Sequence, residues 1–180
     1  MINMEDWGPG YSPAELDTAQ EKFGLRFPPD LIEVLREGRP PSGWDWITNE
    51  RAIRQMLEWP LHGFLFDVEK DSVWWPEWGE RPTTEAERAE VVKSVISRAP
   101  KLIPIRSHRY LPEEPGESGN PVFSVYQTDI IYYGANLENY FELERSYDDS
   151  ARLGENIRHI RFWSDAVENT YDPACTWSPG

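Results

Sequence analysis

The chain has 180 residues, with 18 Lys and Arg against 32 Asp and Glu, so its net charge at pH 7 is −14 and its sequence pI is about 4.6. This length predicts one domain over residues 1–180, and nine Trp, eight Tyr and seven Phe supply a folded core, which excludes general disorder. The negative charge makes nucleic acid and anionic membrane surfaces poor partners.

Compartment and membrane signals are the next constraint. No run of roughly 20 apolar residues, the length of a membrane span, occurs, and the first residues lack the basic and apolar regions of a signal peptide. Cys175 is the only cysteine, which excludes an internal disulfide and agrees with a reducing compartment. We therefore expect a cytoplasmic protein.

Helix signals begin near the start of the chain. Ser12 followed by Pro13 and Glu15 is a capping box with proline at the first helical position, and Gly24 can end that helix. Similar signals predict further helices. One runs from Pro28–Pro29 to Gly38, another from Asn49 to Pro60, and a third from Thr84 to the residue before Pro100. The last two cover 136–145 and 161–168.

Strands are predicted where β-branched and aromatic residues are concentrated or alternate with polar ones. The predicted strands are 44–47, 64–69, 102–105, 122–126 and 129–133. The last two lie so close together that a hairpin is the natural connection. Helices and strands in one chain, without a repeat or an interdomain linker, predict a single α+β domain.

Several stretches of this sequence resemble the SUKH superfamily, which includes the fungal cell-wall-assembly regulators. These are FPPDLIEVLREG followed by GWDW, then FLFDVEKDSVWWPEWGERP, and then APKLIPIRSHRYLPEEPGESGNPVFSVYQTDIIYYGANLENYF, of which the last is the most specific. The resemblance spans about residues 12–168. One departure is Glu37–Gly38, where many relatives have Asn–Gly, and Gly38 is still expected to supply a left-handed helix end.

The resemblance implies an α+β domain with a central, mostly antiparallel sheet flanked by helices, which binds proteins and is not an enzyme. Bacterial members are commonly immunity proteins that bind and block a polymorphic toxin, often a nuclease. Fungal members resemble scaffolds in cell-wall signalling. The superfamily brings no catalytic motif, and its partner-binding surface differs among members, so the resemblance transfers no site residue.

No motif in the sequence points to a metal or a cofactor. His62, His108 and His159 lack metal-ligand spacing, and glycine-rich phosphate or nucleotide loops do not occur. Asp67 and Glu69 would share one face of the predicted strand, as an acid and base pair can, but coincidence is the simpler explanation in so acidic a chain. We expect no catalytic residue, no metal and no cofactor.

Acidic and aromatic side chains are the candidates for binding a protein with a basic face. Trp74, Trp75 and Trp78 stand close together and can be core residues or interface anchors, and acids beside them can steer a partner. The predicted partner-binding residues are Asp67, Glu69, Trp75, Glu77, Trp78 and Glu80, with a second acidic patch at Glu113, Glu114 and Glu117.

These residues and the resemblance lead to three hypotheses of function. The leading one is an immunity protein that neutralises a cognate toxin through an acidic, aromatic-containing surface. The alternative is an intracellular regulatory scaffold of the cell-wall-assembly regulator type. A small hydrolase, whose site the sequence does not reveal, is the third.

Overall fold

The computed structural model describes residues 2, 5–145 and 152–171, which form the predicted α+β fold. The α-helices of this part of the chain are α1 (Pro13–Phe23), α2 (Pro29–Glu37), α3 (Glu50–Lys70), α4 (Glu85–Arg98), α5 (Leu137–Arg145) and α6 (Trp163–Tyr171). Its strands are β1 (Gly8–Pro9), β2 (Gly38–Arg39), β3 (Leu102–Arg106), β4 (Arg109–Pro112), β5 (Val122–Tyr126) and β6 (Asp129–Gly134).

Strands β3 to β6 form one antiparallel sheet in chain order, while β1 and β2 pair separately. The predicted hairpin is confirmed, because Tyr126 pairs with Asp129 across the turn between β5 and β6. The sequence did not indicate β4, which begins at the charged Arg109 and ends at Pro112. Pairing with β3 on one side and β5 on the other makes this short segment a strand.

The central sheet is covered on both faces, because neighbouring residues of a strand point to opposite faces. Ile103 and Leu111 pair across β3 and β4 and belong to a buried cluster that includes side chains of α1, α2 and α5. Tyr110 and Phe123 pair across β4 and β5 and belong to a second cluster with side chains of α3, α4 and α6. Helices therefore flank the sheet, as the resemblance implies.

Both ends of α1 are as predicted. The Ser12 backbone N–H donates to the Glu15 carboxylate at 2.8 Å, and the Glu15 backbone N–H donates to the Ser12 Oγ at 3.3 Å. Gly24 ends the helix with a φ of 62°, which glycine adopts without strain. The left-handed end expected at Gly38 is wrong, because this residue has a φ of −170° and begins the extended β2.

α3 is the largest departure from the sequence-based prediction. The helix does not end at Pro60, and the predicted strand 64–69 lies within its last part. Proline lacks the N–H that would bond to the carbonyl of Met56, four residues earlier. The hydroxyl of Tyr110, a completely buried side chain of β4, donates to that carbonyl at 2.8 Å instead. This tertiary hydrogen bond satisfies the backbone group that the proline leaves unpaired.

The predicted strand 44–47 is also wrong, since these residues lie in a turn. The carboxylate of Asp45 accepts hydrogen bonds from the backbone N–H groups of Ile47 at 2.9 Å and Thr48 at 3.1 Å. An Asp side chain that bonds to the backbone two and three residues later stabilises a turn and competes with strand pairing. The apolar Trp46 is buried all the same, with 4% of its surface exposed.

We expect Tyr110→Phe to lower the free energy of unfolding by about 1–2 kcal/mol, because it leaves the Met56 carbonyl without a donor. In a Pro60→Ala background the new backbone N–H can bond to that carbonyl, so the tyrosine substitution should cost less there. Chemical denaturation of the wild type, both single variants and the double variant measures the difference. An equal loss in both backgrounds would contradict the role assigned to the hydroxyl.

Candidate protein-binding surface

Residues 74–80, named here the tryptophan loop, lie between α3 and α4 and are fixed by short-range hydrogen bonds. The backbone N–H of Trp78 donates to the carbonyl of Trp75 at 3.0 Å and closes a 3-10 turn. Gly79 follows with a φ of 83°, and its carbonyl accepts the indole N–H of Trp74 at 2.8 Å. The loop is therefore ordered before any partner binds.

The three indole rings of the loop differ in exposure. Trp75 is 5% exposed and contacts Phe64 of α3 with a ring-centroid distance of 5.3 Å, so it belongs to the core. Trp78 packs on Trp75 at 4.8 Å, and Trp74 stands nearly perpendicular to Trp78 at 5.2 Å. Both outer rings are partly exposed. Of the predicted anchors, Trp78 is the one that a partner can reach.

The acidic residues near the loop fall into two groups. The side chains of Glu77 and Glu80 are exposed and form no hydrogen bond or ion pair with another described residue. Glu69 instead accepts two hydrogen bonds from the Arg88 guanidinium, at 2.7 and 2.6 Å, and these bonds lower the pKa of its carboxyl. Arg88 also donates to the Pro82 carbonyl at 3.1 Å and so fixes the chain after the loop.

Asp67 lies on α3, so the strand face that it was predicted to share with Glu69 does not exist. Its side chain is 5% exposed, and its Oδ2 accepts hydrogen bonds from the backbone N–H and the hydroxyl of Thr128, at 2.9 and 2.6 Å. No donor in the described part of the chain reaches its buried Oδ1. Burial raises the pKa of Asp67, and the nearby Asp71 raises it further. Asp67 thus fastens α3 to the β5–β6 turn and is not a rim charge.

The second predicted acidic patch is engaged by the chain's own donors. Each of Glu113, Glu114 and Glu117 has an arginine partner that lies far away in sequence. Glu113 accepts a hydrogen bond from the backbone N–H of Arg26 at 3.0 Å. Glu114 pairs with the guanidinium of Arg161 at 2.8 Å, and Glu117 with that of Arg158 at 3.5 Å. Two of the three charges are therefore compensated locally, in contrast to those of the tryptophan loop.

An acidic groove that the sequence analysis missed lies between α2 and the start of α5. It is a cavity of about 510 Å³ that has both acidic and apolar walls. Its acidic side chains are Asp30, Glu33, Glu37 and Glu138, and its apolar ones include Val34 and Leu137. The spacing of Asp30, Glu33 and Glu37 places these acids on one face of α2, and this signal was available from the sequence. Only the fold brings Glu138 of α5 to the same groove.

A second cavity, of about 430 Å³, has a different character. Its walls include Arg106 and Glu144, which pair with each other at 2.5 Å, and the aromatic rings of Trp7 and Phe141, whose centroids are 5.0 Å apart. No Ser, Thr, Cys, His or Lys is among the described residues that line it.

The described residues contain no group of His, Cys, Asp or Glu arranged to bind a metal. His159 lies 2.8 Å from a carboxylate oxygen of Asp165, and His108 Nδ1 lies 3.1 Å from Ser107 Oγ. Burial lowers the pKa of His108. Cys175 lies outside the residues that the structure describes. His159 and His108 are thus each in contact with a side chain that lies close in the sequence.

Comparison with protein families, with curated proteins and with solved structures finds no match to this chain. The resemblance to the SUKH superfamily therefore stays a prediction that rests on the stretches quoted above. Among the helices of the described segments, none combines the length and the apolar character that crossing a membrane requires.

We expect Asp67→Asn to be more stable than the wild type at pH 7, because the amide keeps an acceptor for Thr128 and removes a buried charge. Burial raises the folded-state pKa of Asp67 above its ordinary value of 3.8. The contribution of Asp67 to the free energy of unfolding is therefore most favourable below pH 3.8, where the carboxyl is protonated. This contribution is lost as the pH rises through the raised pKa of the folded state. The advantage of the variant should shrink as the pH is lowered towards about 4.

Chemical denaturation at several pH values between about 4 and 7 measures this difference. Asp67→Ala is the control, since it removes both hydrogen bonds with Thr128 and should lower the free energy of unfolding by about 1–3 kcal/mol. If Asp67→Asn were less stable than the wild type at pH 7, the charged form would be the one that the fold prefers.

Proposed function

We propose that this chain is a protein-binding module of the immunity type, which binds and neutralises a cognate toxin by docking on a basic face of that toxin. The resemblance to the SUKH superfamily, whose bacterial members are commonly immunity proteins, and the net charge of −14 support the proposal. The observation that carries it is the tryptophan loop, where exposed Glu77 and Glu80 flank the partly exposed Trp78.

The tryptophan loop has the composition of an interface anchor. A few aromatic residues surrounded by polar ones commonly carry most of the binding energy of a protein interface. Backbone hydrogen bonds and the packing of Trp78 on Trp75 order this loop in advance. A partner that docks there loses little free energy to ordering the loop, which favours tight binding.

The carboxylates of Glu77 and Glu80 can also attract a basic partner before contact. Neither has a cation among the described residues that a partner would need to displace. Charges at the rim of an interface act mainly on the rate of encounter, and salt screens them beyond about 8–10 Å under physiological conditions. Association is therefore expected to slow as salt is added.

A regulatory scaffold is the second candidate function, and the acidic groove favours it. The groove lies between α2 and α5, which contribute to the first buried cluster, whereas the tryptophan loop packs on the second. Two separate acidic surfaces would let one chain bind two basic partners at once. A gene for a toxin domain directly beside the gene for this chain favours immunity, and an isolated or housekeeping location favours the scaffold.

The test uses a C-terminal toxin domain from a gene that directly neighbours the gene for this chain, where such a neighbour exists. Combining Glu77→Gln with Glu80→Gln should lower the association rate constant several-fold and flatten its salt dependence, with little change in the dissociation rate. Stopped-flow association across a salt series measures these rates. Asp17→Asn combined with Glu21→Gln is the matched control, since it removes the same charge from exposed positions of α1 and should change the rate far less.

Equal slowing by the two double variants would contradict steering by the loop, and salt-independent association of the wild type would contradict electrostatic steering altogether. Coexpression addresses the biological role. Cells that make the toxin domain should grow when they also make this chain, and failure of that rescue with a soluble, folded chain would rule out immunity against that toxin.

A further inference from the structure

Two partly exposed indole rings of the tryptophan loop meet nearly at a right angle. The ring centroids of Trp74 and Trp78 are 5.2 Å apart, and their planes form an angle of 88°. Trp75 supports Trp78 at 4.8 Å, and the indole N–H of Trp74 is bonded to the Gly79 carbonyl at 2.8 Å. These contacts hold both rings in place, so the loop presents a fixed aromatic corner, formed by Trp74 and Trp78.

Two exposed acidic residues flank Trp78 of the aromatic corner in the sequence. Glu77 immediately precedes Trp78, and Glu80 follows it by two positions. The two arginines that come next in the chain are engaged elsewhere. Arg81 donates to a backbone carbonyl of α3 at 2.6 Å, and Arg88 pairs with a carboxylate of α3 at 2.6 Å. The corner therefore combines two aromatic rings with two carboxylates that are not paired within the described chain.

Guanidinium groups contact aromatic rings elsewhere in this protein. The Arg39 guanidinium lies 4.0 Å from the ring centre of Tyr11, and that of Arg109 lies 3.7 Å from the ring centre of Tyr133. No such contact involves the aromatic corner in the described part of the chain. Indole nevertheless attracts cations more strongly than the other aromatic side chains do. Within the described residues, no guanidinium of the chain itself occupies the corner.

We propose that the aromatic corner and the two carboxylates beside it bind one arginine side chain of the partner. A planar guanidinium can pack against an indole while its N–H groups donate to a carboxylate, and a lysine ammonium cannot reproduce that combination. Positive charge on the ligand complements Glu77 and Glu80. This inference rests on the proposed function, because it names the group by which the loop recognises a basic partner.

The test titrates the whole ¹⁵N-labelled chain with the blocked tripeptide acetyl-Gly-Arg-Gly-amide and follows the indole N–H signals by NMR. Trp74→Phe and Trp78→Phe each remove one signal and so assign the two. Both signals should shift together and saturate, with a Kd on the order of 1 mM for a single side chain. The citrulline peptide, which has nearly the same shape without the charge, should give no saturable shift, and the lysine peptide should bind several-fold more weakly.

Substitution of the carboxylates separates recognition from general attraction. Glu77→Gln combined with Glu80→Gln should weaken binding of the arginine peptide about five-fold. Asp17→Asn combined with Glu21→Gln changes the net charge equally and should leave the Kd unchanged within about two-fold. Both pairs are exposed, so unchanged thermal unfolding verifies that neither substitution alters the packing of the rings.

Several results would overturn the arginine assignment. They are an equal response to the citrulline or lysine peptide, no shift of the two indole signals, and full affinity in the Glu77 and Glu80 double variant. Peptide binding that shifts the backbone signals of Val34 and Leu137 in the acidic groove, but not the indoles, would overturn the corner and leave the proposed function standing. Failed growth rescue would rule out immunity against the toxin tested without changing the peptide result.

Discussion

The hydrogen bond from the Tyr110 hydroxyl to the Met56 carbonyl is the contact on which the candidate surface depends. Because it satisfies the carbonyl that Pro60 leaves without a helical donor, α3 continues across the sheet. The continuation buries Phe64, which supports Trp75 at a centroid distance of 5.3 Å. The tryptophan loop is therefore connected to the sheet through Phe64 and the part of α3 that follows Pro60.

Two further contacts bind the part of α3 that follows Pro60 to the turn between β5 and β6. A Cβ atom on Gly63 would lie 2.7 Å from the Cα of Gln127, so the absence of a side chain permits this close approach. One turn later, Asp67 accepts two hydrogen bonds from Thr128. Burial of that carboxyl is unfavourable for its charged form, and the two donors offset part of the cost. The helix is thus held against the sheet at three points along its length.

Sequence-based prediction succeeds here mainly where interacting residues are neighbours in the chain, although the local turn at Asp45 escaped it, and its largest failures lie where the interacting residues are distant. The capping box of Ser12 and the β5–β6 hairpin involve residues only a few positions apart. The continuation of α3 depends on Tyr110, and nothing close to Pro60 in the sequence signals it. The alternation in 64–69 has the period of a strand, but Phe64 and Val68 are also four residues apart and share the buried face of the helix, which leaves Phe66 50% exposed. For the same reason the acids of the tryptophan loop are recognisable in the sequence, whereas the burial of Asp67 and the two arginine ion pairs of the second acidic patch are not.

The pairing of acids, more than their number, distinguishes the possible binding surfaces. At the second acidic patch a partner must compete with Arg161 for Glu114 and with Arg158 for Glu117. Exposed ion pairs of this kind are individually weak, so they can be displaced, but exchanging one cation for another adds little to binding. At the tryptophan loop a cation meets carboxylates without an internal partner, beside rings that are already fixed. At the loop, a new ion pair with the partner contributes to affinity because no ion pair within the chain is broken. Recognition is therefore expected at the loop, and the remaining negative charge of the chain adds long-range attraction.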